Sequence, residues 1–274
     1  MAKQGTQGQS VATLDKERCI ASALSIGMKI ANRAYSGRCY RYWHLDCNSG
    51  SGWNDDVDVP GSPLVFHRAA DEYLTGMKRE AFFCDIDLDR LKILRNRISN
   101  QYSSYCLPGD NEEAIQVFAE RIRSSDNPRY AAGSVIVDPN GYWYRNSRGE
   151  GQPVNALTEF SKEFERIDII LNLNATAYKR QVGAGFEMIA PRDVLFSLNR
   201  SHWLVRRTVC RGSDFLLAVG RNLKTGSHPA LGFHHIDSEE GRDIMLKAEG
   251  KRQGVMTFNE PIQDLFGISQ ASGF

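Results

Sequence analysis

The stretch Tyr42-Trp43-His44-Leu45-Asp46-Cys47-Asn48-Ser49-Gly50-Ser51-Gly52 decides how the rest of the chain is read. A short apolar run ends near Asp46 and opens into a glycine turn, the pattern of a strand that delivers its carboxyl end to a loop. Gly50 and Gly52 lack side chains, so a ligand can pass close to the main chain there. Working outward, residues 14–34 place Ile20, Ala23, Leu24, Met28 and Ile30 along one helical stripe. Residues 63–74 predict a helix with Ser62 as N-cap and Pro63 in its first turn.

Strand-like and helix-like segments then alternate. Strands are expected at 81–84, 105–107 and 134–137, with helices at 87–100, 111–122 and 154–164. Residues 167–173 are apolar without a break, as for a strand buried on both faces. Residues 203–209 and 214–219 flank Arg211-Gly212-Ser213 and read as a hairpin. Five strand–helix units followed by a hairpin predict an α/β fold, mostly parallel, with helices on both sheet faces and a C-terminal antiparallel hairpin. That order disfavours a TIM barrel and an ordinary dinucleotide-binding domain.

The bulk numbers agree with one soluble unit. The 274 residues are 41% hydrophobic and 24% charged with a formal net charge of +1, so no global field recruits nucleic acid, and any such partner needs a local patch. The chain is expected to form a single domain over 1–274, with 1–12 a flexible tail. Its polar, Gly/Gln-rich start holds no apolar stretch to target or span a membrane, which predicts a cytoplasmic protein. Cys19, Cys39, Cys47, Cys84, Cys106 and Cys210 are scattered without a CxxC pair, which suits buried thiols in a reducing compartment.

Ligands of open α/β sheets bind at the carboxyl ends of the strands. Those ends carry Asp46, Asn48, Gly50 and Gly52 after the first strand, Asp85 after the second, and Gly109-Asp110-Asn111 after the third. Asp138-Pro139-Asn140-Gly141-Tyr142 follows the fourth. Singly, each aspartate can be a turn former or helix cap. Together they match a nucleoside lying across the strand ends: Asp46 to accept from a cationic amine, Asp85 for ribose hydroxyls, Asp110 and Asn111 at an adenine edge. No P-loop lysine follows the glycines, and the acidic Trp53-Asn54-Asp55-Asp56 segment would repel a pyrophosphate, so the nucleoside expected is one without phosphates. S-adenosylmethionine is the common example.

The set Asp46-x-x-x-Gly50-x-Gly52, Asp85, Gly109-Asp110 and Asp138-Pro139 resembles the motif ladder of class I S-adenosylmethionine-dependent methyltransferases over residues 41–219. A narrower resemblance is to the methyltransferase-like three-Cys-motif partner proteins of phages and mobile elements. It rests on Gly61-Ser62-Pro63-Leu64, Val137-Asp138-Pro139-Asn140-Gly141 and Ala175-Thr176-Ala177-Tyr178-Lys179-Arg180. The resemblance implies a Rossmann-like fold, S-adenosylmethionine as cofactor, and methyl transfer to an amino group or base, with nucleic acid as a candidate acceptor. Asp138, Pro139, Asn140 and Tyr142 then stand where amino-group methyltransferases carry their acceptor box, although Gly141 displaces the aromatic by one position. The alternative is a catalytically silent member of the fold serving as a protein partner in a complex.

Lys179 and Arg180, with Arg206, Arg207 and Arg211 of the hairpin, are candidate phosphate contacts. Strand alternation forbids Arg206 and Arg207 from sharing one face. Trp143 and its tyrosine neighbours read as core edge. His228, His234, His235 and Asp237 are rejected as a metal site, because adjacent strand histidines diverge and Asp237-Ser238-Glu239-Glu240 reads as a helix start.

Overall fold

The computed structural model describes residues 11–37, 40–55, 57–98, 103–139, 154–210 and 212–251. In chain order its helices and strands are α1 (Val11–Tyr35), β1 (Arg41–Asp46), a small ribbon of β2 (Trp53–Asn54) and β3 (Val59–Pro60), α2 (Ser62–Tyr73), β4 (Lys78–Asp85), α3 (Leu88–Arg97), β5 (Ser103–Pro108) and α4 (Asn111–Arg123). There follow β6 (Ala131–Val137), α5 (Val154–Glu163), β7 (Ile167–Asn174), α6 (Ala175–Gly183), α7 (Pro191–Phe196), β8 (His202–Cys210), β9 (Ser213–Arg221), β10 (His234–His235) and α8 (Glu239–Ala248).

One sheet orders its strands β10-β8-β9-β7-β6-β1-β4-β5. β1 pairs in parallel with both β4 and β6, and β5 and β7 extend the parallel set on either side. β9 runs antiparallel between β7 and β8, so β8 shares the direction of the parallel strands. The expected hairpin is present, closed by Gly212 at a φ of 84°, a conformation that suits glycine. Its second strand, however, has been inserted beside β7. The chain leaves β1 toward β4 and β5, then returns to β6, so the strand order reverses between β1 and β6. Open α/β sheets form their ligand crevice at such a reversal, above the carboxyl ends.

Two-residue periodicity builds the layers. On one face Tyr42, Phe83, Ile136, Ile170, Leu204 and Val219 pack against α1, α2 and α3. On the other, Trp43, Leu45, Phe82, Val135, Ile169 and Leu171 meet α4, α5, α6 and α8. β6 is buried along its whole length. This is the three-layer α/β arrangement anticipated above, a mainly parallel sheet with an antiparallel addition.

Some local expectations are corrected. The α2 N-cap is Gly61 and Ser62 is the first helical residue, because Pro63 fixes the opening turn without needing a side-chain cap. Helix α1 begins at Val11, which takes the last two residues out of the expected tail. The β2–β3 ribbon and α7 had no periodic signal long enough to announce them.

Candidate functional site

At the end of β1, Asp46 is fully buried and accepts the Asn48 N–H at 3.1 Å. Burial pushes its carboxyl up to about 6, against the pull of the Ser62 hydroxyl and the Asn48 N–H. Asn48 exchanges amide hydrogen bonds of 3.2 Å with Asn111 and accepts the Asp138 N–H at 3.0 Å, which ties the ends of β1 and β6 and the start of α4 together. Gly50 has a φ of 59°, and a Cβ there would meet nothing within 4 Å, so open space lies beside its backbone. Asp85, at the end of β4, accepts the Gly50 N–H at 2.9 Å and the Asp87 N–H at 2.8 Å. It therefore shapes the glycine turn while keeping unused lone pairs on both oxygens.

Across the crevice, Asp138 follows β6. Its Oδ2 receives Lys16 Nζ at 2.5 Å and its Oδ1 receives Asn172 Nδ2 at 2.6 Å. Lys16 comes from the second turn of α1, which crosses the sheet and lays its amino end over the strand ends. Burial alone would lower the Lys16 pKa, but Asp138, Glu17 and Asp46 outweigh it and hold the ammonium above its ordinary value. Its neighbour Glu17 accepts from Asn54 Nδ2 at 3.4 Å through Oε1, while Oε2 is buried without a hydrogen-bond partner among the described residues. Burial, with help from Asp138 and Asp46 and opposed by Lys16, pushes the Glu17 carboxyl up to about 7. Asn172 turns its amide nitrogen to Asp138, which leaves its Oδ1 buried and without a partner.

The structure thus brings Asp46, Asn48, Gly50, Asp85, Asn111 and Asp138 to one crevice, with Pro139 beside them. Lys16, Glu17, Asn54 and Asn172 are added to the set. A signal for the first two existed: Lys16 lies four residues before Ile20 and eight before Leu24, so a charge opens an otherwise apolar helical stripe.

Other candidates have structural employment. Gly52 has a φ of 78°, and a Cβ there would sit 2.7 Å from Leu94 Cδ1, so this glycine permits packing against α3. Asp110 caps α4 by accepting the Glu113 N–H at 2.9 Å. Lys179 and Arg207 both close on the buried Asp214, at 2.6 and 2.9 Å, whereas Arg180 is exposed. Arg206 turns to the opposite face and donates to the Leu231 carbonyl at 2.7 Å. The side chains read as a basic patch are therefore split between two faces, and Asp214 offsets one of the two charges that it holds. Asn140, Tyr142 and Arg211 lie outside the described residues. Among the described residues there is no group of three metal-ligating side chains, and no helix is long and apolar enough to cross a membrane.

Fold and site together define an α/β chain with a mainly parallel sheet whose candidate ligand residues gather at the strand ends. LPL1258 from Legionella pneumophila is similar, with a TM-score of 0.54 at 10% identity over 78% of this chain and 88% of that one. Human methyltransferase-like protein 13, solved with SAH, has a TM-score of 0.45 at 15% identity over 92% of this chain and 98% of that chain. The N-methyltransferase NodS from Bradyrhizobium japonicum has a TM-score of 0.41 at 13% identity over 77% and 99%. The likeness to LPL1258 is one of fold alone. No protein-family model and no curated protein sequence matches the chain, so the narrower likeness to three-Cys-motif partner proteins finds no support there.

Proposed function

We propose that this chain is an S-adenosylmethionine-dependent methyltransferase acting on an amino group or base. The observation that carries the reading is the pair of carboxylates, Asp46 and Asp138, set on either side of the crevice where the strand order reverses. The residues fit the cofactor. Asp46 offers a buried carboxyl for its ammonium, the open space at Gly50 lets it lie against the main chain, and the free lone pairs of Asp85 suit ribose hydroxyls. Asp110 is spent on its helix, so an adenine edge would meet Asn111 and the backbone there. When bound, the cofactor supplies a methyl group already activated on a sulfonium. The protein then needs chiefly to align donor and acceptor, and Asp138, braced by Lys16 and Asn172, is a fixed acceptor for an amine N–H.

Calorimetric titration with S-adenosylmethionine and its demethylated product tests this directly, and absence of binding by both would remove it. Asp85→Ala is expected to weaken cofactor affinity by about 1–3 kcal/mol, because a charged hydrogen-bond acceptor is lost and the Gly50 turn is freed.

A nucleic-acid acceptor is a narrower reading, supported now by Arg180 rather than by a cluster. If it holds, binding of an oligonucleotide should fall with rising salt, and Arg180→Ala should flatten that dependence by about one unit of slope. Salt-insensitive binding, or none at low ionic strength, counts against it. A silent member of the fold is the second reading, favoured by one observation: both Asp138 oxygens already hold protein donors. The phage and mobile-element context rests on the sequence resemblance alone.

A further inference from the structure

Glu17 is the carboxylate whose chemistry the fold leaves unfinished. It is 8% exposed and carries an unpartnered Oε2, and Asn172, which shares Asp138 with the cluster, is 3% exposed with an unpartnered Oδ1. Two buried acceptors without donors are costly in a folded protein unless something else supplies the N–H groups. The charges point the same way, because Glu17, Asp46 and Asp138 surround a single ammonium, that of Lys16. On the adjoining β4 and β5 loops Asp87, Asp110, Glu112 and Glu113 are exposed, a rim that repels a polyanion and attracts a cation.

We propose that the acceptor substrate is a cationic aliphatic amine and that Glu17 takes its proton. This rests on the methyltransferase reading and adds the class of amine and the residue that prepares it. A primary ammonium offers three N–H donors and a second positive charge to a cluster that has one ammonium for three carboxyl groups and two buried acceptors without donors. It has no lone pair, however, so it cannot attack a methyl group until a proton leaves. Glu17 faces Lys16 on its own helix, Asp46 from β1, Asp138 after β6, and the neutral Asn54 amide of β2. Among these groups its carboxyl titrates near neutrality and can accept a proton there.

The balance is simple. One proton passes from the ammonium to Glu17. The freed lone pair forms the nitrogen–carbon bond as the methyl–sulfur bond breaks, with that electron pair staying on sulfur. The product is a secondary ammonium, and Glu17 releases its proton to water.

Calorimetry with 1,4-diaminobutane, on the protein without cofactor, is expected to show binding that Glu17→Gln weakens about tenfold while S-adenosylmethionine affinity is unchanged. Incorporation of labelled methyl into the diamine should rise with pH through about 7 in the native protein. It should be slow and flat in Glu17→Gln, with the rise restored at a reduced rate in Glu17→Asp. A purely structural glutamate would not move the pH profile. A Glu17→Gln loss confined to cofactor affinity overturns the inference, since Glu17 would then serve the cofactor's own ammonium. So does an unchanged pH profile, or methylation of a mixed-sequence oligonucleotide with none of the diamine, and in these cases the methyltransferase reading stands. Failure of the native protein to bind S-adenosylmethionine defeats both readings.

Discussion

Replacing Lys16 with methionine is expected to cost about 1–3 kcal/mol of folding stability at pH 8, less than the roughly 3–5 kcal/mol for one partner of a fully buried ion pair, because the Lys16 and Asp138 side chains are 20% and 17% exposed. Methionine fills nearly the same volume, so little of the loss comes from packing. The cost comes from the buried Glu17 and Asp46 and the part-buried Asp138, which lose the one cation among them. The sign of the pH dependence follows from those carboxyls. Without Lys16 the folded-state pKa values of Glu17 and Asp46 rise further above the unfolded ones, so the folded variant gives up more free energy than the native chain as these two ionise. The difference between the two proteins should therefore grow as pH rises through about 6 to 7 and shrink toward pH 5, where Asp46 and Glu17 are protonated in the fold. Buried histidines such as His44 also respond to pH, but equally in both proteins, so they cancel in the difference. Urea unfolding of both proteins at pH 5 and pH 8 measures this, and a constant difference would show that the ion pair contributes nothing particular.

Phe118→Ala is expected to destabilise by about 3–5 kcal/mol at any pH. The ring is fully buried and holds four elements at once, with ring centroids 6.3 Å from Trp43 of β1, 5.4 Å from Phe82 of β4 and 5.7 Å from Phe160 of α5. Alanine would leave a cavity that three aromatic neighbours on rigid elements cannot collapse to fill. Phe118→Leu, which keeps more of the volume, should lose less. Val117, one residue earlier and 39% exposed, should tolerate alanine within about 0.5 kcal/mol. Denaturant midpoints for the three variants, with unchanged slopes, decide the matter.

The site was legible to the extent that it is made of strand ends. Asp46, Asp85 and Asp138 could be picked out because each follows an apolar run and precedes a turn, a pattern confined to a few consecutive residues. The same pattern also marks residues with other work: Asp110 caps a helix and Gly52 admits a leucine from α3. Distinguishing these from the crevice residues requires knowing what stands across from them. Lys179 and Arg207 show this from the other side, since two members of a cluster of basic letters proved to be held on one buried carboxylate, Asp214.

Sequence by itself determined the alternation of strands and helices, the apolar faces and the helix start at Ser238, because periodicity and capping signals are settled within a turn or two of chain. The insertion of β9 between β7 and β8, and the laying of α1 over the crevice, were decided only in the tertiary structure. Strand partners are chosen by edge pairing and by burial of a second face, which no local window contains. Lys16 and Asp138 are 122 residues apart, and their pairing exists because α1 docks on one face of a sheet whose far strands bring Asp138 to its end.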